Sequence, residues 1–433
     1  MVNNVIPRLP QELPDINRLA ASIEETLHWL SEYGADGGGG ITRFLYSNSW
    51  KQAQTALNDR MKQAGLKVYF DEVGNLYGRI EGTEPNRGTI LTGSHIDTVI
   101  NGGKYDGAFG IAAGLAALQF LLERYGRPKC NLEIVSFCEE EGSRFPLTYW
   151  GSGNVSGRYS VDQVPEICDS EGVSLREAMM SAGFGSKAGR AAKRDDIQAF
   201  IELHIEQGKV LEREEKGIGV VKGIVGQKRF TCEVTGEANH AGTTPMALRR
   251  DALAGVSEMV QLLEGLAQSY GSPMVATVGS LEVIPGLSNV IPGKVTFTLD
   301  VRHSESMELS AFCQAVKISF EEVAARRGLM LALSQWMNAE PVMMDVELTR
   351  MVEHICMHRN LSFLSMFSGA GHDTQVMQSV CPTALVFVPS RGGISHSPDE
   401  YTSTKELAAG VSVLTDLLYV LAYDRGERFE NVS

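Results

Sequence analysis

The sequence has no CxxC pair and no regular cysteine spacing. Its seven cysteines, Cys130, Cys138, Cys168, Cys232, Cys313, Cys356 and Cys381, are scattered and odd in number. That argues against a disulfide framework or a structural zinc knot and fits a reducing compartment. Long apolar runs are missing too: none approaches the roughly 18 consecutive residues a membrane span requires. The opening stretch MVNNVIPRLPQELPD carries prolines and acids where a secretory leader has an apolar centre, so no leader is expected. Positive charge is in deficit, with 39 basic against 53 acidic side chains and a formal balance of −14. That sign opposes attraction to nucleic acid or to an anionic membrane. A cytoplasmic protein with neither partner is expected, although a local arginine can still hold a small anionic substrate.

What is present is a chain of 433 residues, too long for one compact core, so two domains are the natural expectation. Ile16 to Tyr33 places Leu19, Ile23, Leu27 and Leu30 at helix spacing and stops before the glycine run Gly37 to Gly40. A second amphipathic stretch runs from Gln52 to Gly65. Leu66 to Phe70, Leu76 to Ile80, Thr89 to Thr92 and Leu132 to Phe137 read as strands, with a helix from Ala108 to Tyr125. This alternation predicts an α/β domain with a mostly parallel sheet covered by helices.

The pattern changes near Gly226. Strand Arg229 to Thr235, helix Asp251 to Leu266, strands Val275 to Val283 and Lys294 to Val301, helix Glu305 to Ala325 and strand Met330 to Trp336 follow in the order β-α-β-β-α-β. That order is the ferredoxin-like α+β unit. Helix Glu347 to Arg359, strand Ala384 to Val388 and helix Thr404 to Tyr423 then resume the α/β pattern. The expected organisation is a discontinuous α/β domain, 1–224 with 340–433, and an inserted α+β domain, 225–339.

Ligands gather at the carboxyl ends of strands in open α/β sheets, and the polar clusters fall there. Thr89 to Thr92 leads into Gly93-Ser94-His95-Ile96-Asp97, and Leu132 to Cys138 leads into Glu139-Glu140-Glu141-Gly142. Phe200-Ile201 leads into Glu202-Leu203-His204, Ala384 to Val388 leads toward His396, and Asp106 precedes the helix at Ala108. Taken singly each has a plain explanation, Asp106 as a helix cap for example. Together they point to a metal, because three successive carboxylates after an apolar strand repel one another unless cations are near. Histidine nitrogen and carboxylate oxygen are donors that zinc and manganese accept.

Ser94-His95-Ile96-Asp97, Gly103-Lys104-Tyr105-Asp106-Gly107 and Glu140-Glu141-Gly142-Ser143-Arg144-Phe145 resemble the metal-binding motifs of the M20 family of metallopeptidases and amidohydrolases. Glu202-Leu203-His204-Ile205-Glu206-Gln207-Gly208, Asn239-His240-Ala241-Gly242-Thr243-Thr244-Pro245-Met246, Gly369-Ala370-Gly371-His372-Asp373 and Ile394-Ser395-His396 are similar to the branch acting on N-carbamoyl groups. The resemblance runs from about Ile23 to about Leu421.

It implies a metallohydrolase domain carrying an inserted ferredoxin-like dimerisation and lid domain, and two divalent ions per subunit. Asp106 would bridge the ions, His95 and His204 would complete one site, and Glu141 and His396 the other. Asp97 would orient His95 from behind. Glu140 would be the general base. His240 would act on the reacting carbonyl of the neighbouring subunit, which requires a homodimer through the inserted domain. Asn289 and Arg302 would hold the substrate, the guanidinium pairing with a carboxylate. Gln207 and Gln227 are further ureido contacts, and His372 would help line the pocket. Read without the resemblance, Arg302 is a surface ion-pair partner and His240 a solvated turn residue.

The implied activity is hydrolysis of a small anionic ureido compound, with allantoate preferred for Gly39-Gly40-Ile41-Thr42-Arg43-Phe44-Leu45-Tyr46-Ser47 and Asp71-Glu72-Val73-Gly74-Asn75-Leu76-Tyr77-Gly78-Arg79. N-carbamoyl-L-amino acids and N-carbamoyl-β-alanine are the alternatives. A noncatalytic binding protein on the same scaffold is the remaining reading, and the presence of all five ligand positions and Glu140 argues against it. The ions would be zinc or manganese, with cobalt and nickel also compatible with this donor set.

Overall fold

The computed structural model describes residues 9–10, 16–186 and 189–424. Most of the opening stretch read for a leader lies outside these residues. In chain order come helices α1 (Ile16–Ser31) and α2 (Asn48–Gln63), then strands β1 (Lys67–Phe70), β2 (Leu76–Ile80) and β3 (Thr89–His95). Helix α3 (Ala108–Tyr125), β4 (Asn131–Phe137), helices α4 (Trp150–Ser156) and α5 (Leu175–Ala182), and β5 (Ile197–Ile205) follow. The single turn α6 (Val210–Arg213) and β6 (Ile218–Ile224) come next. Then come β7 (Gly226–Thr235), the short β8 (Asn239–His240), α7 (Ala252–Tyr270), β9 (Val275–Ile284) and the short β10 (Val290–Ile291). After β11 (Lys294–His303), α8 (Ser306–Arg327), β12 (Met330–Ala339) and the short β13 (Val342–Met343), the described residues continue with α9 (Val346–His358), β14 (Phe363–Ser368), α10 (Asp373–Met377), β15 (Thr383–Val388) and α11 (Thr404–Ala422).

These elements form two compact units. The second comprises Gly223–Met343 with Phe367–Ala370, and the rest of the chain forms the first. The second unit is wider than 225–339 because β13 pairs back on the end of β6, Val342 opposite Ile224, and the Val225 N–H bonds the Ser368 carbonyl.

In the first unit the sheet order is β1-β2-β4-β3-β5-β15-β6. The pairs β3–β4, β3–β5 and β5–β15 are parallel, whereas β1–β2, β2–β4 and β6–β15 are antiparallel. The sheet is therefore mixed, with four parallel strands at its centre. Those central strands are covered on both faces, since β3, β4 and β15 are buried at every residue. Helix α3, rich in alanine and leucine, packs on β3 beside α1 and α11. Fully burying each leucine or isoleucine in this layer stabilises by roughly 1.5–3 kcal/mol. Helix α11 starts with a capping box, Ser403 and Glu406 satisfying one another's backbone N–H groups.

Strand β3 runs three residues beyond the apolar segment Thr89 to Thr92 and includes His95 itself. Gly93 and Ser94 hide the continuation by composition, but Gly93 lies so close to β4 that a Cβ there would fall 1.9 Å from the Val135 carbonyl oxygen. The register of the parallel pair thus depends on that glycine.

The second unit has an antiparallel sheet in the order β12-β7-β11-β9, with helices α7 and α8 packed on it. With the connection β7-α7-β9-β11-α8-β12, this is the ferredoxin-like arrangement. Burial alternates strictly along β11, so Val295, Phe297, Leu299 and Val301 face a core that also takes Phe312 and Phe320 from α8. Among the described residues no helix is long and apolar enough to cross a membrane.

Candidate metal centre

Four strands deliver the site because they run parallel and adjacent, in the order β4-β3-β5-β15, and so share one carboxyl edge. Strand β3 ends on His95, β4 leads into Glu139–Glu141, β5 carries Glu202 and His204, and β15 leads into the loop bearing His396. Asp106 sits in the loop before α3. Residues separated by up to 301 positions thereby meet: His95 and His396 both face Asp106.

Asp106 divides its carboxylate between two groups. Its Oδ1 lies 3.2 Å from His204 Nε2 and 3.5 Å from His95 Nε2. Its Oδ2 lies 3.3 Å from His396 Nε2, which is itself 3.6 Å from Glu141 Oε1. Donor atoms of His95, Asp106 and His204 all lie within 4.8 Å of one another, as do those of Asp106, Glu141 and His396. Glu140 joins His95 and Glu141 in a third such group, so Glu140 stands against the centre and not apart from it.

The donor chemistry fits divalent ions. His95 Nδ1 lies 3.1 Å from the Asp97 carbonyl oxygen and His204 Nδ1 2.9 Å from that of Ile205. A carbonyl only accepts, so each Nδ1 donates to it and each Nε2, aimed at Asp106 and in His204 also reached by the Gly107 N–H at 3.2 Å, is the nitrogen left for an ion. Lone pairs of imidazole and carboxylate converging at this range call for a cation between them. Titration behaviour agrees. Burial, then the charge of Asp106, push Glu141 up to about 7. The hydrogen bond to Asp106 raises His396 to about 9 despite its partial burial. Burial and the neighbouring carboxylates of Glu141, Asp373 and Asp97 push Glu140 well above the usual range, against the pull of His95.

Asp97 was expected behind His95. Its Oδ1 is 3.3 Å from His95 Nδ1, close to the main-chain contact already given. The same carboxylate also accepts the backbone N–H of Glu140 at 3.0 Å and of Glu141 at 3.1 Å. Glu139 points elsewhere: it is 2% exposed and accepts the Gly142 N–H.

Gln207, expected as a ureido contact, lies in the left-handed region at φ 57°. Its Nε2 is 3.0 Å from Asp106 Oδ2 and 3.2 Å from Ser395 Oγ. His372, expected to help line the pocket, is 2% exposed and packs against the rings of His204 and Phe387. Burial and the charge of His204 hold it well below the usual histidine range, so it backs the His204 ring as a neutral group.

His240, Gln227, Asn289 and Arg302 all belong to the second unit. His240 is exposed on β8, and its Nδ1 accepts the N–H groups of Gly242 and Thr243 at 3.0 and 3.2 Å, which reserves Nε2 for another partner. Asn289 is next to it, its carbonyl accepting the Ala241 N–H at 3.0 Å. Gln227 and Arg302 are cross-strand neighbours, and both donate to Asp300, Arg302 through two nitrogens at 3.0 and 2.9 Å.

Two buried acids gain a role that the sequence does not assign them, Glu202 standing in the motif that holds His204 and Glu400 outside any. Glu202, fully buried, accepts Ser94 Oγ at 2.7 Å, the Thr374 N–H at 2.9 Å and the Thr374 hydroxyl. Glu400, 4% exposed, accepts the N–H groups of Tyr105 and Asp106 and the Ser395 hydroxyl. The signal for Glu202 was a charge inside the apolar run Phe200 to Ile205. Glu400 lay four residues past His396 with no pattern to mark it.

The model of peptidase family M20/M25/M40 matches residues 91–420. The chain is 47% identical to the allantoate amidohydrolase of Bacillus subtilis (strain 168), covering 93% of this chain and 98% of that protein. It is 45% identical to the allantoate amidohydrolase of Escherichia coli (strain K12), covering 95% and 100%. Among solved structures it is similar to an amidase of the hydantoinase/carbamoylase family from Burkholderia multivorans, with a TM-score of 0.89, 33% identity and coverage of 94% and 98%.

Proposed function

The chain belongs to peptidase family M20/M25/M40, and from that premise we propose that it hydrolyses the ureido group of allantoate, releasing ammonia and carbon dioxide and leaving ureidoglycine. It is a metal-dependent amidohydrolase. The observation that carries the reading is Asp106, whose two carboxylate oxygens face separate histidines. The high identity to two allantoate amidohydrolases supports allantoate as the substrate. Hydrolysis of N-carbamoyl-L-amino acids or N-carbamoyl-β-alanine is the second reading, supported by the likeness to a hydantoinase/carbamoylase-family amidase.

Two divalent ions, zinc or manganese with cobalt and nickel as alternatives, would be held by His95, Asp106 and His204 and by Asp106, Glu141 and His396. When bound they supply a more acidic water and polarisation of the ureido carbonyl. Glu140 takes the proton from the attacking water on its carboxylate and returns it to the leaving nitrogen as the carbon–nitrogen bond breaks. Asp97 fixes the backbone from which Glu140 projects. Arg302 pairs with the substrate carboxylate, with Gln227, Gln207 and Asn289 as polar contacts, and His240 from a partner subunit donates to the carbonyl oxygen.

The homodimer forms through the second unit. Strand β9 is an edge strand with Val275, Leu281 and Ile284 exposed, an unpaired margin that a second copy would extend. The seven free cysteines support a cytoplasmic location. Metal analysis combined with ammonia release from allantoate, an N-carbamoyl-L-amino acid and N-carbamoyl-β-alanine tests the reading. Turnover of allantoate exceeding the other two is expected; negligible ammonia from allantoate rejects it.

A further inference from the structure

Glu400 reaches the backbone that carries Asp106 and the residue that precedes His396. Its Oε1 accepts the N–H of Tyr105 at 2.9 Å and of Asp106 at 3.1 Å. Its Oε2 accepts Ser395 Oγ at 2.8 Å, one residue before His396. The fit is close, because a Cβ on Gly103 would fall 2.2 Å from Glu400 Oε1. One buried carboxylate therefore ties residues 105–106 to residue 395, across almost 300 positions of chain.

The two histidine groups depend on this tie unequally. His95 and His204 lie on β3 and β5, whose ladders fix them, and each is further held through Nδ1 by a main-chain carbonyl. His396 lies in an irregular loop at φ 54°, half exposed, with no strand to hold it. Ser395, the residue before it, anchors that loop, its hydroxyl bonding Glu400 at 2.8 Å and lying 3.5 Å from Asp106 Oδ2.

We propose that Glu400 is a positioning residue that seats Asp106 and His396 together, so that its loss weakens the ion held by Glu141 and His396 more than the ion held by His95 and His204. The proposal rests on the two-ion reading above. The magnitude expected for a carboxylate supporting metal ligands from behind is about a 10- to 100-fold loss of affinity. Glu400→Ala removes both arms. Glu400→Gln keeps the shape and one accepting oxygen, so it should fall between alanine and wild type.

The test uses the full-length protein stripped by chelator and titrated with zinc alone, with bound metal counted after equilibrium dialysis and the Tm recorded for each variant. Two ions are expected for wild type. One tight ion and a second weakened about 10-fold or more are expected for Glu400→Ala, with an intermediate loss in Glu400→Gln. If the alanine variant does not fold, the glutamine variant decides. Wild-type stoichiometry of one would overturn the two-ion reading and this proposal with it. Wild type binding two ions while Glu400→Gln holds both with unchanged affinity, or loses both equally, would overturn the proposal alone.

Discussion

Asp97 holds Glu140 by its main chain: Oδ1 of the aspartate accepts the Glu140 N–H at 3.0 Å while Oδ2 accepts that of the next residue, Glu141, at 3.1 Å. The acid proposed as base and the acid proposed as ligand are thus fixed by one carboxylate, which also lies 3.3 Å from His95 Nδ1. An asparagine at this position keeps one accepting oxygen and presents an N–H₂ to the other backbone donor. Asp97→Asn should therefore lower kcat by about 10- to 100-fold, with weaker metal retention. Steady-state ammonia release and metal content measured on one preparation check both parts.

Glu140→Gln removes the proton acceptor but little volume. It should keep its metal and lose about 10²- to 10⁴-fold in kcat. Wild-type turnover in this variant would remove Glu140 from the chemistry, whereas loss of metal would recast it as a ligand.

Protons occupy the centre when ions do not, which sets a pH dependence. Glu141 and Glu400 are raised to about 7 by burial and the charge of Asp106, and His396 to about 9 by its bond to Asp106. In the unfolded chain these groups titrate near 4.3 and 6.5 respectively. Between those limits the folded metal-free protein binds more protons than the unfolded chain, so its stability falls as pH rises. The window is about 4.3 to 7 for the glutamates and about 6.5 to 9 for the histidine. Two groups act oppositely: Asp106, which burial disfavours but three histidines hold well below the usual range, does so only in stronger acid, and buried His372, held low, does so below about 6.5. The Tm of chelator-stripped protein should decline from pH 5.5 to 8.5, and the rise in Tm on adding zinc should grow over the same span. Differential scanning fluorimetry across that range reads both, and a metal-induced rise independent of pH would contradict the assignment.

Gly107 follows Asp106 at φ 63°, and a Cβ there would lie 2.4 Å from the His95 carbonyl oxygen and 2.6 Å from its ring. Gly107→Ala should destabilise through left-handed strain of about 1–2 kcal/mol and overpacking of about 1–3 kcal/mol. The expected result is a lower Tm together with metal loss, since the displaced group is a ligand. Thermal unfolding and metal analysis distinguish this from a surface glycine such as Gly126, whose Cβ would meet nothing within 4 Å.

Much of the architecture was legible. Ala108 to Tyr125 reads as a helix because its alanines and leucines are bounded by Gly107 and Gly126, and α3 has those limits. The β-α-β-β-α-β order from Arg229 to Trp336 reads directly because alternation in Lys294 to Val301 differs in period from the flanking helices. Strand continuation through Gly93-Ser94 and through Glu202 was not legible. There the stabilising partners, Val135 on β4 and the Ser94 and Thr374 hydroxyls, come from distant segments. Helix α4 and strand β6 are likewise not legible, the first a seven-residue segment, Trp150–Ser156, rich in glycine and serine.

The residue types at the centre were written in the chain itself: histidines and acids placed just past apolar runs need only local composition and spacing to be noticed. Which atoms face which was decided by the tertiary structure alone. Parallel pairing of β4, β3, β5 and β15 fixes a common edge, and only then do the two oxygens of Asp106 acquire separate histidines. The buried acids Glu202 and Glu400 gained their roles in the same way. A carboxylate in sequence is merely a charge, and it becomes a clamp only where folding removes water and brings backbone donors within reach.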